Sequence, residues 1–275
     1  MKKMYKTFII AIITLFFSQY VFSNEPEKIT NESTEFPAIS LDNKNLIIFT
    51  KEKYSTPDII NTPFDYRIAI SLFKKDVDKK IPIDLMPYWG GPGKIEDAFI
   101  HDFQNQSVLF VIFKANSPEN TGVPYSSDYY FVFAYNKTSK GVFLSNEKLF
   151  NYFGIGADVT DIPSTNEAID NNLTIDLPIN AYTYPYKTKE AIIATLSSNL
   201  FMQWMNNNVI KATILRKTKL QEEPNYYDET KRYLIEGDKV SVKDITAGWL
   251  AIEYQNAKKG IIKGWIMCKD TDVCK

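Results

Sequence analysis

Few side chains in this sequence of 275 residues could carry covalent or proton-transfer chemistry. His101 is the single histidine, so any Ser-His-Asp or Cys-His arrangement would have to use it. It stands beside Asp102 in a stretch that reads as a strand, where a hydrogen-bonded structural role is expected. One histidine also falls short of the usual zinc ligand set, and no His-Glu-x-x-His pair occurs. The loop Trp89-Gly90-Gly91-Pro92-Gly93-Lys94-Ile95 fails as a phosphate cradle, because Ile95 stands where Ser or Thr is required and Tyr88 where the first glycine belongs. It reads as a tight turn.

Carboxylates could serve an acid and nucleophile pair, the minimum for glycoside hydrolysis: Glu96-Asp97 with Asp102, or Asp158 with Asp161. Adjacent acids on a strand point to opposite faces, which counts against Glu96 with Asp97. Asp170-Asn171-Asn172 resembles a fragment of a calcium loop, but the glycine and terminal Glu of an EF-hand are missing. No catalytic set, metal site or cofactor is assigned. The two cysteines, Cys268 and Cys274, enclose five mostly polar, turn-prone residues and are expected to form a disulfide in an oxidising compartment.

Binding chemistry is better represented. Tyr226-Tyr227-Asp228 puts two adjacent aromatics and a carboxylate in an expected exposed loop, next to Pro224 and Asn225, where packing alone would not call for them. Such rings with a carboxylate could cradle a peptide bearing an amine. Trp249 and Trp265 are the further candidates, although both fit core or rim packing better.

Strands must position these residues. The runs 45–50, 66–73, 108–113 and 129–135 are short, rich in branched and aromatic residues, and bounded by polar, Pro, Gly or Asn clusters. Ile95 to Phe103 should pair with the 108–115 run across Gln104-Asn105-Gln106-Ser107. No repeated helix separates the strands, so an antiparallel sheet is expected between about residues 38 and 180. Ser145 to Phe153 fits a short helix stopped by Gly154. A longer helix is expected from about Lys189 to Asn206, where Ile192, Leu196, Leu200 and Trp204 recur every four residues.

The C-terminal punctuation is distinct. Glu236-Gly237-Asp238 reads as a turn feeding the alternating strand Lys239-Val240-Ser241-Val242, and two further strands are each opened by Gly-Trp, at Gly248-Trp249 and Gly264-Trp265. With Ala212-Thr213-Ile214-Leu215 and Leu220-Gln221-Glu222-Glu223-Pro224 before them, these blocks resemble a bacterial SH3-like (SH3b) domain from Val209 to about Met267. Only the Gln255–Ile262 connection looks longer than usual. The resemblance implies a small five-stranded barrel and a role in attachment or recognition rather than catalysis; some members bind peptidoglycan stem peptides.

The whole reads as a mainly β (α+β) protein. Residues 1–23 are a signal peptide, 24–37 a flexible lead-in, 38–207 an antiparallel β-rich domain with about two helices, and 208–275 an SH3-like barrel with a disulfide tail. Lys2, Lys3 and Lys6 precede the apolar run Phe8–Phe17, and Ser18-Gln19-Tyr20 interrupts it before the roughly 20 residues needed to span a bilayer. Cleavage after Ser23 would deliver the chain to the periplasm or the exterior, with no stable membrane insertion. Loss of those three lysines leaves 29 basic against 33 acidic residues, a net charge of about −4, which argues against nucleic acid as a partner. A non-catalytic exported binding protein is the leading expectation, its partner a cell-envelope component, peptidoglycan among them, or another protein. An immunity or inhibitor protein against a toxin or lysozyme is the alternative, and a carboxylate-dependent envelope hydrolase the minority reading.

Overall fold

The computed structural model describes residues 34–53, 66–89, 91–116, 125–161, 179–226 and 229–274. The expected signal peptide and most of the lead-in lie outside them, as do Tyr227, Asp228 and the 170–172 segment.

Antiparallel sheets dominate. The first is a meander of four strands, β1 (Thr34–Ser40), β2 (Asn45–Lys53), β3 (Tyr66–Lys74) and β4 (Lys79–Leu85), in that spatial order. β1 begins inside the expected lead-in: Phe36 sets its ring edge-on to Phe49, 5.3 Å between centroids, and Glu35 pairs with Lys51 at 2.9 Å. This aromatic anchor and cross-strand ion pair help hold a largely polar stretch as an edge strand, with Ile39 also packed on the core.

The second sheet contains β5 (Lys94–Phe103), β6 (Gln106–Asn116), β7 (Tyr125–Lys137), β8 (Phe143–Ser145), β9 (Ile155–Asp161) and β10 (Ile179–Tyr182). Its main order is β10-β9-β7-β6-β5, with β8 beside β7. β5 and β6 pair as expected, but the turn is tighter than expected. Gln104 and Asn105 alone make it, both at positive φ (49° and 62°), the conformation whose twist matches a two-residue hairpin.

The second sheet is buried on both faces. Leu109, Val111, Phe113 and Phe131 meet Ile47, Phe49, Ile68 and Ile70 of the first sheet, forming a sandwich. From the other face Phe110, Ile112 and Val132 pack into a cluster shared with the helices and the C-terminal strands. Strict alternation along β6 places these two sets on opposite sides. Because both sides are covered, the strand reads as a continuous apolar run.

The helices are α1 (Glu147–Phe153), α2 (Lys189–Leu196) and α3 (Asn199–Met205). Asn146 caps α1 by accepting from Leu149 N at 3.0 Å. The long helix expected over 189–206 is two short ones. Ser198 Oγ accepts from Phe201 N at 3.2 Å and restarts the helix, so the four-residue apolar repeat continues through a break it does not reveal.

The C-terminal region forms one six-stranded antiparallel sheet, not five strands: β11 (Ile210–Thr213), β12 (Thr218–Gln221), β13 (Glu229–Leu234), β14 (Lys239–Thr246), β15 (Trp249–Asn256) and β16 (Gly260–Met267). Its order is β11-β14-β15-β16-β12-β13, and among the described residues it does not close into a barrel. The added strand, β13, pairs Leu234 with Thr218 and ends before the turn at Gly237, which has φ +87°. The 255–262 stretch, expected as a long connection, is mostly strand. Asn256 Oδ1 accepts from Lys258 N and Lys259 N and folds the hairpin over three residues.

Gly248-Trp249 does open a strand, but Gly264-Trp265 lies in the middle of β16. Gly264 serves a close approach instead: a Cβ there would come within 2.9 Å of Leu220 Cδ2 and 3.0 Å of Gln221 O, where β12 crosses β16.

Candidate ligand-binding cleft

The two faces of β15 have different duties. Leu250 and Ile252 point with Ile266 into the interior of the C-terminal sheet, whereas Trp249 points to the other side, toward β10. Trp249 is 2% exposed, its ring 5.4 Å from that of Tyr182. The Tyr182 hydroxyl donates to the Ala247 carbonyl, which anchors β10 to the turn between β14 and β15. Burial pushes the Tyr182 phenol well above its ordinary range, against a smaller opposing effect of its hydrogen bond with Trp249. It stays a neutral donor throughout the physiological range.

Beside this pair opens a cleft of about 320 Å³. One wall is β7 and β9 with Tyr129, Ile155, Gly156 and Ala157; the other is the loop after β12 with Pro224, Asn225 and Tyr226; Tyr182 and Trp249 lie between them. Tyr226, expected on an exposed loop, is half-buried there and faces the larger part of the chain. Trp249 contributes to the cleft from a buried position. Trp265 is half-buried on β16 opposite Gln221, packs against the shared core, and does not line this cleft.

The cleft walls come from segments about a hundred residues apart. Of the residues lining it, the sequence singled out Tyr226 and Trp249 but not Tyr129, Ala157 or Tyr182. The Tyr129-Tyr130 pair was visible only as strand composition. No spacing rule links residues 129, 182 and 226.

An aromatic shelf continues outward from Tyr129. Trp89 is 44% exposed, and its ring lies 5.7 Å from Tyr129 and 5.7 Å from Phe131. The loop that fails as a phosphate cradle thus presents an indole. Its Gly93, at φ +67°, lets the chain pass over Phe113, whose ring a Cβ would strike at 2.1 Å.

Charged groups near the cleft neutralise one another. Lys114 bridges Asp128 at 3.1 Å and Glu96 at 3.3 Å, and Glu96 also meets Lys94 at 3.2 Å. Burial raises the Glu96 pKa, but its hydrogen bonds with Lys94 and Lys114 outweigh this and hold it below the ordinary value. Lys187 pairs with Asp158 at 2.5 Å and stands 5.6 Å from the Tyr130 ring centre. Of the acids considered for hydrolysis, Glu96 is held by lysines, Asp97 by the Ala98 amide, Asp102 by Ser107 at 2.6 Å, and Asp158 by Lys187 and the Tyr184 amide, while the side chain of Asp161 lies outside the described residues. His101 is half-buried within β5, opposite Val108. No group of three or more potential metal ligands occurs among the described residues.

Besides a hollow of about 380 Å³ lined by Lys148, Trp204, Lys243 and Asp244, two larger ones open elsewhere. One of about 600 Å³ lies over β11, β14 and β15, where Glu253 is already paired with Lys243 and Lys263 at 3.0 Å each and Lys211 Nζ meets Ser241 Oγ. The other, about 450 Å³, lies between α2 and the disulfide-bonded pair Cys268–Cys274, whose Cα atoms are 5.5 Å apart. The tail carrying that disulfide is pinned at several points: Asp270, 3% exposed, accepts from Arg216 Nε at 2.6 Å and Thr218 Oγ1 at 2.7 Å, and Lys269 Nζ donates to the Ala181 carbonyl at 2.8 Å. Among the described residues no helix is long and apolar enough to cross a membrane. No protein-family model matches the chain, and neither a curated protein nor a solved structure matches it.

Proposed function

We propose that this chain is a non-catalytic exported binding protein that recognises a cell-envelope component through the cleft between its sandwich and its C-terminal sheet. The observation that carries the reading is the composite wall: Tyr226 and Trp249 from the C-terminal sheet share one concavity with Tyr129, Ala157 and Tyr182 from the larger part. Concave, aromatic-lined sites with few polar groups are the usual form of a small-ligand site, and junctions between folded units are a preferred location. In this reading residues 208–275 are an SH3-like attachment module, and residues 1–23 are the signal that delivers it to the periplasm or the exterior.

Retention of the mature protein on purified sacculi at low salt tests the proposal. Binding that Tyr226→Ala abolishes and Tyr233→Ala leaves intact is the expected result, since Tyr233 is exposed elsewhere on the same sheet. Absence of retention removes peptidoglycan as the partner.

A further inference from the structure

We propose that the cleft, together with the Trp89–Tyr129 shelf, is a subsite for a neutral saccharide, the indole and phenol stacking on the apolar face of a pyranose ring. This rests on the reading of the cleft as a binding site and names the class of its ligand. A pyranose has a face of C–H groups and a rim of hydroxyls, so it needs an aromatic plane that is open on one side and fixed on the other. Trp89 has that form. At 44% exposure it offers ring surface to solvent, while contacts with Tyr129 (interplanar angle 32°) and Phe131 (66°) hold it in place. Less side-chain freedom is then lost when a ligand binds.

The described lining favours an uncharged ligand. None of the described residues lining the cleft is ionised at neutral pH: the walls are tyrosine, tryptophan, proline, asparagine and small or aliphatic residues, and burial raises the Tyr129 pKa. An anion would find no cation among the described lining residues. A cation would find aromatic faces but no carboxylate among the described lining residues, with the Lys187 ammonium set over the adjacent Tyr130 ring. The nearby Glu96, Asp128 and Asp158 are paired with Lys114 and Lys187. A neutral polyhydroxylated ligand has no ionic charge to desolvate on entering such a site, whereas an ion must leave its hydration shell without a countercharge.

The test uses the mature, disulfide-intact chain and tetra-N-acetylchitotetraose as the probe, followed by tryptophan fluorescence and calorimetry. Saturable binding is expected, weakened about tenfold or more by Trp89→Ala and by Tyr226→Ala, and less by Trp89→Phe, which keeps a ring. Melting curves of the variants separate lost binding from lost folding. No saturable binding, or binding that both alanine variants leave unchanged, overturns the inference. So does displacement of the probe by choline chloride at equal concentration, which would assign the rings to a cation. If sacculi retain the protein but the tetrasaccharide neither binds nor competes, the saccharide inference fails while the broader binding reading stands; if sacculi do not retain it either, the peptidoglycan reading fails as well.

Discussion

Tyr182 and Trp249, sixty-seven positions apart in sequence, lie with ring centroids 5.4 Å apart, and the Tyr182 hydroxyl donates to the carbonyl of Ala247. The contact joins β10 to the β14–β15 turn and forms the inner boundary of the cleft. Around it a single buried cluster runs from Phe110 and Val132 through Tyr184 and Phe201 to Val240 and Ile266. Apolar packing thus continues across residue 208, where the sequence changes character.

Tyr182→Phe keeps the ring contact and removes the donor, leaving a buried carbonyl without this bond. A loss of about 1–2 kcal/mol in unfolding free energy is expected from denaturant titration. Ligand affinity should fall as well, because the cleft wall loses its anchor. A variant of unchanged stability would show that the hydroxyl bond contributes nothing.

Gly154 ends α1 at φ +63°, and a Cβ there would lie 2.5 Å from Thr246 Oγ1 and 3.0 Å from the Ala247 backbone nitrogen. Gly154→Ala combines a strained backbone with a steric conflict against β14. A destabilisation of about 2 kcal/mol or more is expected. Adding Thr246→Ala should recover only the part of the steric cost due to the hydroxyl, since the approach to the Ala247 nitrogen persists, and it also removes the Thr246 hydroxyl bond to Asn151 O at 2.7 Å. Thermal melts of the single and double variants separate the two contributions.

The C-terminal tail is held by more than its disulfide. Reduction should cost about 2 kcal/mol on loop-closure grounds, because the enclosed loop is short. Asp270→Ala removes a buried carboxylate and leaves the Thr218 hydroxyl and the Arg216 guanidinium without it, and should cost about 3 kcal/mol. Urea titrations with and without reductant, on wild type and variant, check the order: the substitution should exceed the reduction.

Alkaline pH should unfold the protein steeply. Tyr135, Tyr152, Tyr182, Tyr184 and Tyr186 are all raised above the ordinary value of 10.0, foremost by burial, Tyr152 to about 12. A raised folded pKa means that the folded state holds its proton when the unfolded state has lost it. The associated stability is therefore full below pH 10 and declines as pH rises through the folded values. Tyrosinate absorbance should rise together with loss of β-sheet circular dichroism. A titration near pH 10 with the sheet signal intact would contradict the burial of these rings.

Legibility varied with the range of the interaction involved. The apolar runs of β2, β3, β6 and β7, the capped α1 and the closely spaced cysteine pair were all readable, because period, caps and short spacing are local properties. The break at Ser197-Ser198 was hidden by an apolar stripe that persists across it. Gly264 was misassigned for the opposite reason: it looked like turn punctuation, but its role is set by β12, more than forty residues earlier in the chain.

The sequence by itself determined that the chain is mainly β, that its strands pair antiparallel, and that Cys268 and Cys274 lie close enough to join. Those features follow from alternation, turn chemistry and spacing over a few residues. Tertiary structure alone decided that both faces of the β5–β10 sheet are covered, that Trp249 is buried against Tyr182 while Trp89 is exposed, and that Tyr129, Tyr182 and Tyr226 share one cleft. Burial and concavity depend on which distant surfaces meet, and the interactions that bring residues 129, 182 and 226 together are summed over the whole core rather than encoded at any one of them.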